Sequence, residues 1–127
     1  MAEASYSVHM TKMADRDIAE TTAYLVGRFE FQAANDFIDA IECAVRSLEK
    51  YPFRAHIPHE LQEYPDTSIR ELPVFGHRLI YRILEPDVFV LFVPHGKRSI
   101  EDALIQRALR FGPLDFNLMP PDGEAPA

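Results

Sequence analysis

The sequence predicts an α+β domain: an N-terminal strand and a two-helix hairpin packed on an antiparallel β-meander, closed by a short C-terminal helix. Two patterns predict it. Apolar side chains recur at helical spacing from Ala14 to Leu48, and β-branched and aromatic residues crowd Ile69 to His95 with only short turn segments between them. A third observation sets the domain count, since 127 residues at 47% hydrophobic supply one core and not two.

Tyr6, Val8 and Met10 alternate with Ser5, Ser7 and His9, the period of two expected of a strand with one buried face. Thr11 then stands where a helix cap accepts backbone N–H bonds. Behind it Ala14, Ile18, Thr22, Leu25 and Phe29 recur at helical spacing, with Asp15 and Asp17 near the positive end, giving a helix from about Lys12 to Phe29. A second series, Ala33, Phe37, Ile41, Val45 and Leu48, carries Asp36, Asp39, Glu42, Arg46 and Glu49 on its other side and ends before Tyr51-Pro52. The break near Glu30 to Gln32 is short, so the two helices form an antiparallel hairpin.

From Tyr51 to Ser68 prolines and polar residues remove both periodicities, and the segment reads as a long loop of the kind that carries function or mobility. Ile69 to Leu72, His77 to Leu84 and Val88 to His95 then form three strands, joined through Pro73-Val74-Phe75-Gly76 and Glu85-Pro86-Asp87. The run Phe89 to Val93 is apolar on both faces, as a central strand is. Its neighbour alternates Arg78, Ile80 and Arg82 against Leu79, Tyr81 and Ile83, which predicts one sheet face under the helices and one partly polar face. Ile100, Leu104, Ala108 and Phe111 suggest the closing helix, to about Arg110, and Gly112-Pro113 stops it. The domain therefore spans residues 1–112, and residues 113–127 form a proline-rich flexible tail.

A single cysteine, Cys43, excludes a disulfide scaffold and fits a reducing cytoplasm; its helical neighbours Ile41 and Val45 place it as a small buried apolar residue. The N-terminal residues lack the apolar stretch of a secretory signal, and no window is long enough to span a bilayer, so no membrane partner is expected. The net charge of −7 repels polyanions at long range, so any nucleic-acid contact requires a local basic cluster. His56 and His59 are close, but with no cysteine pair and no carboxylate at ligand spacing neither a metal nor another cofactor is expected.

Several segments, in order, resemble the RelE/ParE superfamily of bacterial toxins. The N-terminal part of the resemblance runs from Tyr6-Ser7-Val8 through Thr11, Ala14 to Ile18, Tyr24-Leu25, Ala33-Ala34, Phe37, Leu48, Pro52 and Arg54. The more specific part is Ile69-Arg70-Glu71-Leu72, then His77 to Ile83, then Val88 to Val93 and His95-Gly96-Lys97-Arg98, covering in all roughly Ser5 to Arg98. The resemblance implies the toxin of a type II toxin-antitoxin system, stalling growth unless bound by a cognate antitoxin.

It also implies one of two mechanisms. RelE-like members cut mRNA on the ribosome, which needs a base, an acid and cations on the phosphate; ParE-like members poison DNA gyrase and need no such constellation. For cutting, the candidate catalytic residues are Arg98, Arg70 and His95, with Arg78 as a further cation and His77 or Glu71 as further proton carriers, because all lie on or beside the meander. In the RelE-like pattern a tyrosine follows the final arginine and a basic residue precedes the hairpin; here Leu104 and Pro73 hold those positions. Glu101-Asp102 directly after the arginine and the net charge of −7 also disfavour docking on RNA. The ParE-like reading is therefore preferred, with the ribosome-dependent mRNA endonuclease and a non-toxic antitoxin-binding module as alternatives.

Plainer readings stand beside these. Arg70 and Arg98 are also strand-end residues with Glu71, Glu101 and Asp102 within reach for surface ion pairs. His77 and His95 flank a turn and a strand end, where a histidine commonly satisfies backbone groups, and Tyr81 and Phe92 read as core. The acidic positions of the second helix read as a solvated face.

Overall fold

The computed structural model describes residues 5–65 and 67–95. It runs β1 (Ser7–Met10), α1 (Lys12–Gly27), α2 (Phe31–Leu48), a 3-10 turn (His59–Leu61), β2 (Ile69–Val74), β3 (His77–Leu84) and β4 (Asp87–Phe92). The expected helix after Arg98, the tail and Arg98 itself lie outside the described residues. No described helix is long and apolar enough to cross a membrane.

The meander pairs antiparallel as its short connections require, β2 with β3 and β3 with β4. Val74 pairs with His77, leaving Phe75 and Gly76 as a two-residue loop in which both φ values are positive, at 48° and 79°. Those angles are the signature of a type I′ turn, whose twist matches that of the strands it joins. The first strand closes the sheet from the other side: β1 lies parallel to β4, so the sheet is mixed, in the order β1-β4-β3-β2.

Thr11 makes the junction between β1 and α1. Its side chain caps α1 by accepting from the Ala14 amide at 3.3 Å, as its position in the sequence suggests. The same hydroxyl donates to the carbonyls of Val90 at 2.8 Å and Leu91 at 2.9 Å. Leu91 is the extra residue of a β-bulge, since Ile80 pairs with Phe92 and Tyr81 with Val90. One buried hydroxyl thus starts the helix and holds the carbonyls at the bulge.

The helices cover one face of the sheet. Ala14, Phe37, Ile41, Ala44 and Leu48 pack on Leu79, Tyr81, Ile83, Val88, Val90 and Val93. The expected alternation of α1 fails at its end, for Phe29 lies beyond the helix with φ of 61° and is 80% exposed. Its amide donates to Val26 and that of Glu30 to Leu25, which makes Phe29 the left-handed residue of a Schellman motif, a position that favours glycine. Holding a non-glycine residue there costs about 1–2 kcal/mol. Cys43 is also exposed rather than buried, because the buried stripe of α2 runs through Ile41, Ala44 and Leu48 and turns position 43 to solvent.

The second face carries the expected polar residues, Arg78 and Arg82, but it is also covered. Ile69, Ile80, Leu91 and Phe92 bury there against Leu61 from the long loop, with Ile57 and Met13 beside them. This second core forms because the loop wraps the β2 edge. Near its start, the Pro52 carbonyl accepts from the buried Tyr81 hydroxyl at 2.6 Å on the helical side. At the edge itself, the His56 carbonyl accepts from the Glu71 amide at 2.8 Å. Further on, Leu61 reaches the other face.

Thr11→Ala should therefore lose both the cap and a donor to two buried carbonyls, costing about 2 kcal/mol in urea unfolding, with Thr11→Ser retaining most of it. A loss under about 0.5 kcal/mol for the alanine variant would show that the hydroxyl does not couple helix to bulge.

Candidate functional site

The polar residues singled out in the sequence separate into three places. The first is a closed ionic cluster on the loop-covered face. Arg78, on β3, is 6% exposed and meets two carboxylates. It donates to Glu71 from Nε at 3.0 Å and Nη2 at 2.7 Å, and to Glu60 from Nη1 at 2.9 Å and Nη2 at 2.7 Å. Two forked contacts engage four of the guanidinium's five N–H donors at the geometry that makes such pairs strong. They raise the affinity of Arg78 for its proton, Glu60 contributing most and Glu71 next. Arg78 in turn holds the Glu60 carboxyl below its ordinary value. Glu60 had no signal in the sequence, being one acid in a proline-rich loop.

The second place is the start of β2. Arg70 donates from Nη1 to the carbonyls of Phe53 at 2.9 Å and Ala55 at 3.0 Å, and from Nε to Thr67 at 3.0 Å. Its guanidinium also lies 5.4 Å from the centre of the Phe53 ring. These bonds tie both ends of the long loop to the strand. Beside them, Leu48, Tyr51, Ala55, Leu72 and Tyr81 line a recess of about 250 Å³.

The third place is a groove of about 350 Å³ between α1 and the far end of the meander. Asp17, Glu20, Thr21, Tyr24 and Leu25 supply one wall, and their spacing of three and four residues places them on one face of α1. Phe75, His77, Val93, Pro94 and His95 supply the other. His77 and His95 face each other through an isolated antiparallel bridge, their rings 5.2 Å apart and edge to face. His77 also packs on Phe37 at 5.0 Å, and Asp17 accepts from the Val93 amide at 2.8 Å, fixing α1 to the strand end.

The structure thus places His95 beside His77 but brings neither Arg70 nor Arg78 to them. Arg70 lies four residues along β2 from Val74, the partner of His77, a distance of roughly 13 Å at strand rise. Arg78 and Glu71 lie on the opposite face, committed to each other and to Glu60. Among the described residues no group of three or more metal-ligating side chains forms. The groove's Tyr24 and Phe75 had no functional signal in composition or periodicity.

Comparison with known proteins places this arrangement. A family model described as the ParE toxin of the type II toxin-antitoxin system, parDE, matches residues 8–100. Among solved structures the chain resembles one from the chromosomal ParDE toxin-antitoxin system of P. aeruginosa, with a TM-score of 0.59 and 18% identity, covering 73% of this chain and 98% of that one. It also resembles one from the RelBE2 toxin-antitoxin complex of Mycobacterium tuberculosis, with a TM-score of 0.50 and 22% identity, covering 74% and 94%. No curated protein matches. The strand, helical hairpin and meander are those of the RelE/ParE superfamily. Within it, the chain belongs to the ParE toxin family.

The ionic cluster yields a stability prediction. Arg78→Met leaves two facing carboxylates without their cation and should cost about 3–5 kcal/mol, whereas Glu60→Gln, which leaves the Glu71 pair intact, should cost about 2 kcal/mol. Because the folded state holds Glu60 below its ordinary value of 4.5, the unfolded state takes up its proton first. The contribution is complete at neutral pH and is lost as pH falls from about 4.5 through the lower folded value. Urea titrations should show the gap between wild type and Glu60→Gln narrowing over that window. A gap independent of pH would exclude the ion pair as its source.

Proposed function

We propose that this ParE-family toxin arrests growth in the cytoplasm by binding and poisoning DNA gyrase, and that a cognate antitoxin neutralises it by covering its surface. The observation that carries the choice against RNA cutting is the commitment of the basic residues. A nuclease needs cations directed at a phosphate, but Arg78 is spent on Glu60 and Glu71 and Arg70 on three backbone carbonyls. The net charge of −7 also opposes docking on RNA. In this reading His95, which lines the groove, and Arg98 are contact residues, and Arg70 is a positioning residue for the loop. An antitoxin partner is supported by the likeness to structures from two toxin-antitoxin systems.

Expression should halt growth, and co-expression of the adjacent gene's product should restore it. Gyrase–DNA cleavage complexes should accumulate while ribosome-bound mRNA stays intact; cleaved mRNA without cleavage complexes would defeat the proposal. Arg98→Ala should abolish arrest in a variant whose Tm stays within about 2 °C of wild type, which separates loss of contact from loss of fold.

A further inference from the structure

The recess beside the start of β2 collects features that neither the ionic cluster nor the groove uses. Its volume of about 250 Å³ falls just below the roughly 300–1,000 Å³ of sites that hold drug-sized molecules, so it suits a ligand of about one ring. Its floor is apolar, with Leu48 and Tyr81 from the core and Ala55 and Leu72 beside them. The polar groups of that floor are already satisfied. The Tyr81 hydroxyl donates to the Pro52 carbonyl at 2.6 Å, and burial pushes its pKa up to about 12, so it stays neutral. The Ser47 hydroxyl donates to the Ala44 carbonyl, and the Ser47 carbonyl accepts from the Lys50 and Tyr51 amides. An apolar body placed there strands no polar group.

The rim is positive, in a chain whose net charge is −7. Arg54 holds its guanidinium 4.3 Å from the centre of the Tyr51 ring, a contact that leaves its in-plane N–H donors available to a ligand. Among the described residues no carboxylate pairs with Arg54 or with Arg70. Arg70 spends its donors on neutral carbonyls, so its charge persists, and it acts on the Tyr81 hydroxyl in the recess wall. His56, with a side chain 60% exposed, stands on the same rim. Glu71 also borders the recess, but both its oxygens are bonded to Arg78 on the other face of the sheet. The uncommitted charge at this mouth is therefore cationic, above an apolar floor. A hydrophobic ring carrying one negative group matches both.

We propose that this recess is a binding site for a free small aromatic carboxylate, its ring seated on Leu48, Ala55, Leu72 and Tyr81 and its carboxylate held by Arg54 at the rim beside His56. One guanidinium can give a carboxylate two parallel N–H bonds, which orient the ligand as well as hold it. The site is walled by the loop through Arg54 and Ala55 and by α2 and β2 through Leu48 and Leu72. An occupant thus fastens the loop to the sheet and stabilises the fold by mass action.

The test is an NMR titration of the 15N-labelled full-length chain with phenylacetate, phenylacetamide and acetate. Phenylacetate should give saturable shifts at the amides of Leu48, Ala55 and Leu72, with the millimolar Kd expected of a ligand of about ten non-hydrogen atoms. Phenylacetamide, which keeps the shape and lacks the charge, should bind at least about tenfold more weakly. Acetate, the charge without the ring, should give no saturable shift at those amides. Arg54→Gln, a substitution at an exposed position, should bring the acid down to the affinity of the amide. Absence of a saturable shift from phenylacetate at about 20 mM overturns the site. Equal binding of acid and amide by the wild-type chain overturns the selectivity for an anion, and an Arg54→Gln variant that binds phenylacetate as wild type does overturns the role of Arg54.

Discussion

The constraint on which the rest of the structure depends is the buried guanidinium of Arg78. An arginine at 6% exposure on a central strand is tolerable only if its charge and its donors are met. The two carboxylates that meet them come from different parts of the chain, Glu71 from the neighbouring strand and Glu60 from the 3-10 turn of the long loop. The second of these compels the loop to lie across the sheet. Once there, it carries Leu61 and Ile57 into contact with Ile69, Ile80 and Phe92. A face that would otherwise be wet becomes a second core.

The same wrapping manages the sheet's outer edge. In the observed register the amides of Ile69, Glu71 and Pro73 positions point away from β3. The Glu71 amide is taken by His56, and proline at 73 has none to give. An edge strand closed in this way offers little to a foreign strand. Arg70 reinforces the arrangement by binding carbonyls at both ends of the loop. Residues that resemble a phosphate-binding set in sequence are thus the fastenings of a clasp. A buried ion cluster of this kind adds less to stability than its bonds suggest, since desolvation offsets much of the attraction. Its value lies in selecting one path for the loop among many.

With the charges on that face consumed, the groove lies on the opposite face, beside the β2–β3 turn. The groove there combines an acidic helix face, two histidines and exposed aromatic rings, a composition suited to recognising a protein. The tight turn at Phe75-Gly76 matters to this surface because it fixes the backbone of a phenylalanine whose ring packs 6.3 Å from that of the buried Phe37 and stays half exposed at the groove. The ionic cluster and the groove are therefore divided between the two faces of one sheet.

Much of this was legible in the residues. The helices, the meander, the Thr11 cap and the core roles of Tyr81 and Phe92 followed from local periodicity and capping chemistry, because helix and strand periods are written in neighbouring residues. The order of Ile69-Arg70-Glu71-Leu72 and His95-Gly96-Lys97-Arg98 also pointed to the superfamily. Cys43 and Phe29 were misplaced for local reasons too, one by the phase of a helix face and the other by a helix that ends two residues early. What only the tertiary structure decided is the pairing of β1 with β4 and of Glu60 with Arg78. It also decided the separation of Arg70 from His95. These depend on residues 18 to about 80 positions apart, whose partners are chosen by packing, register and the cost of burying charge, none of which any single stretch of sequence contains.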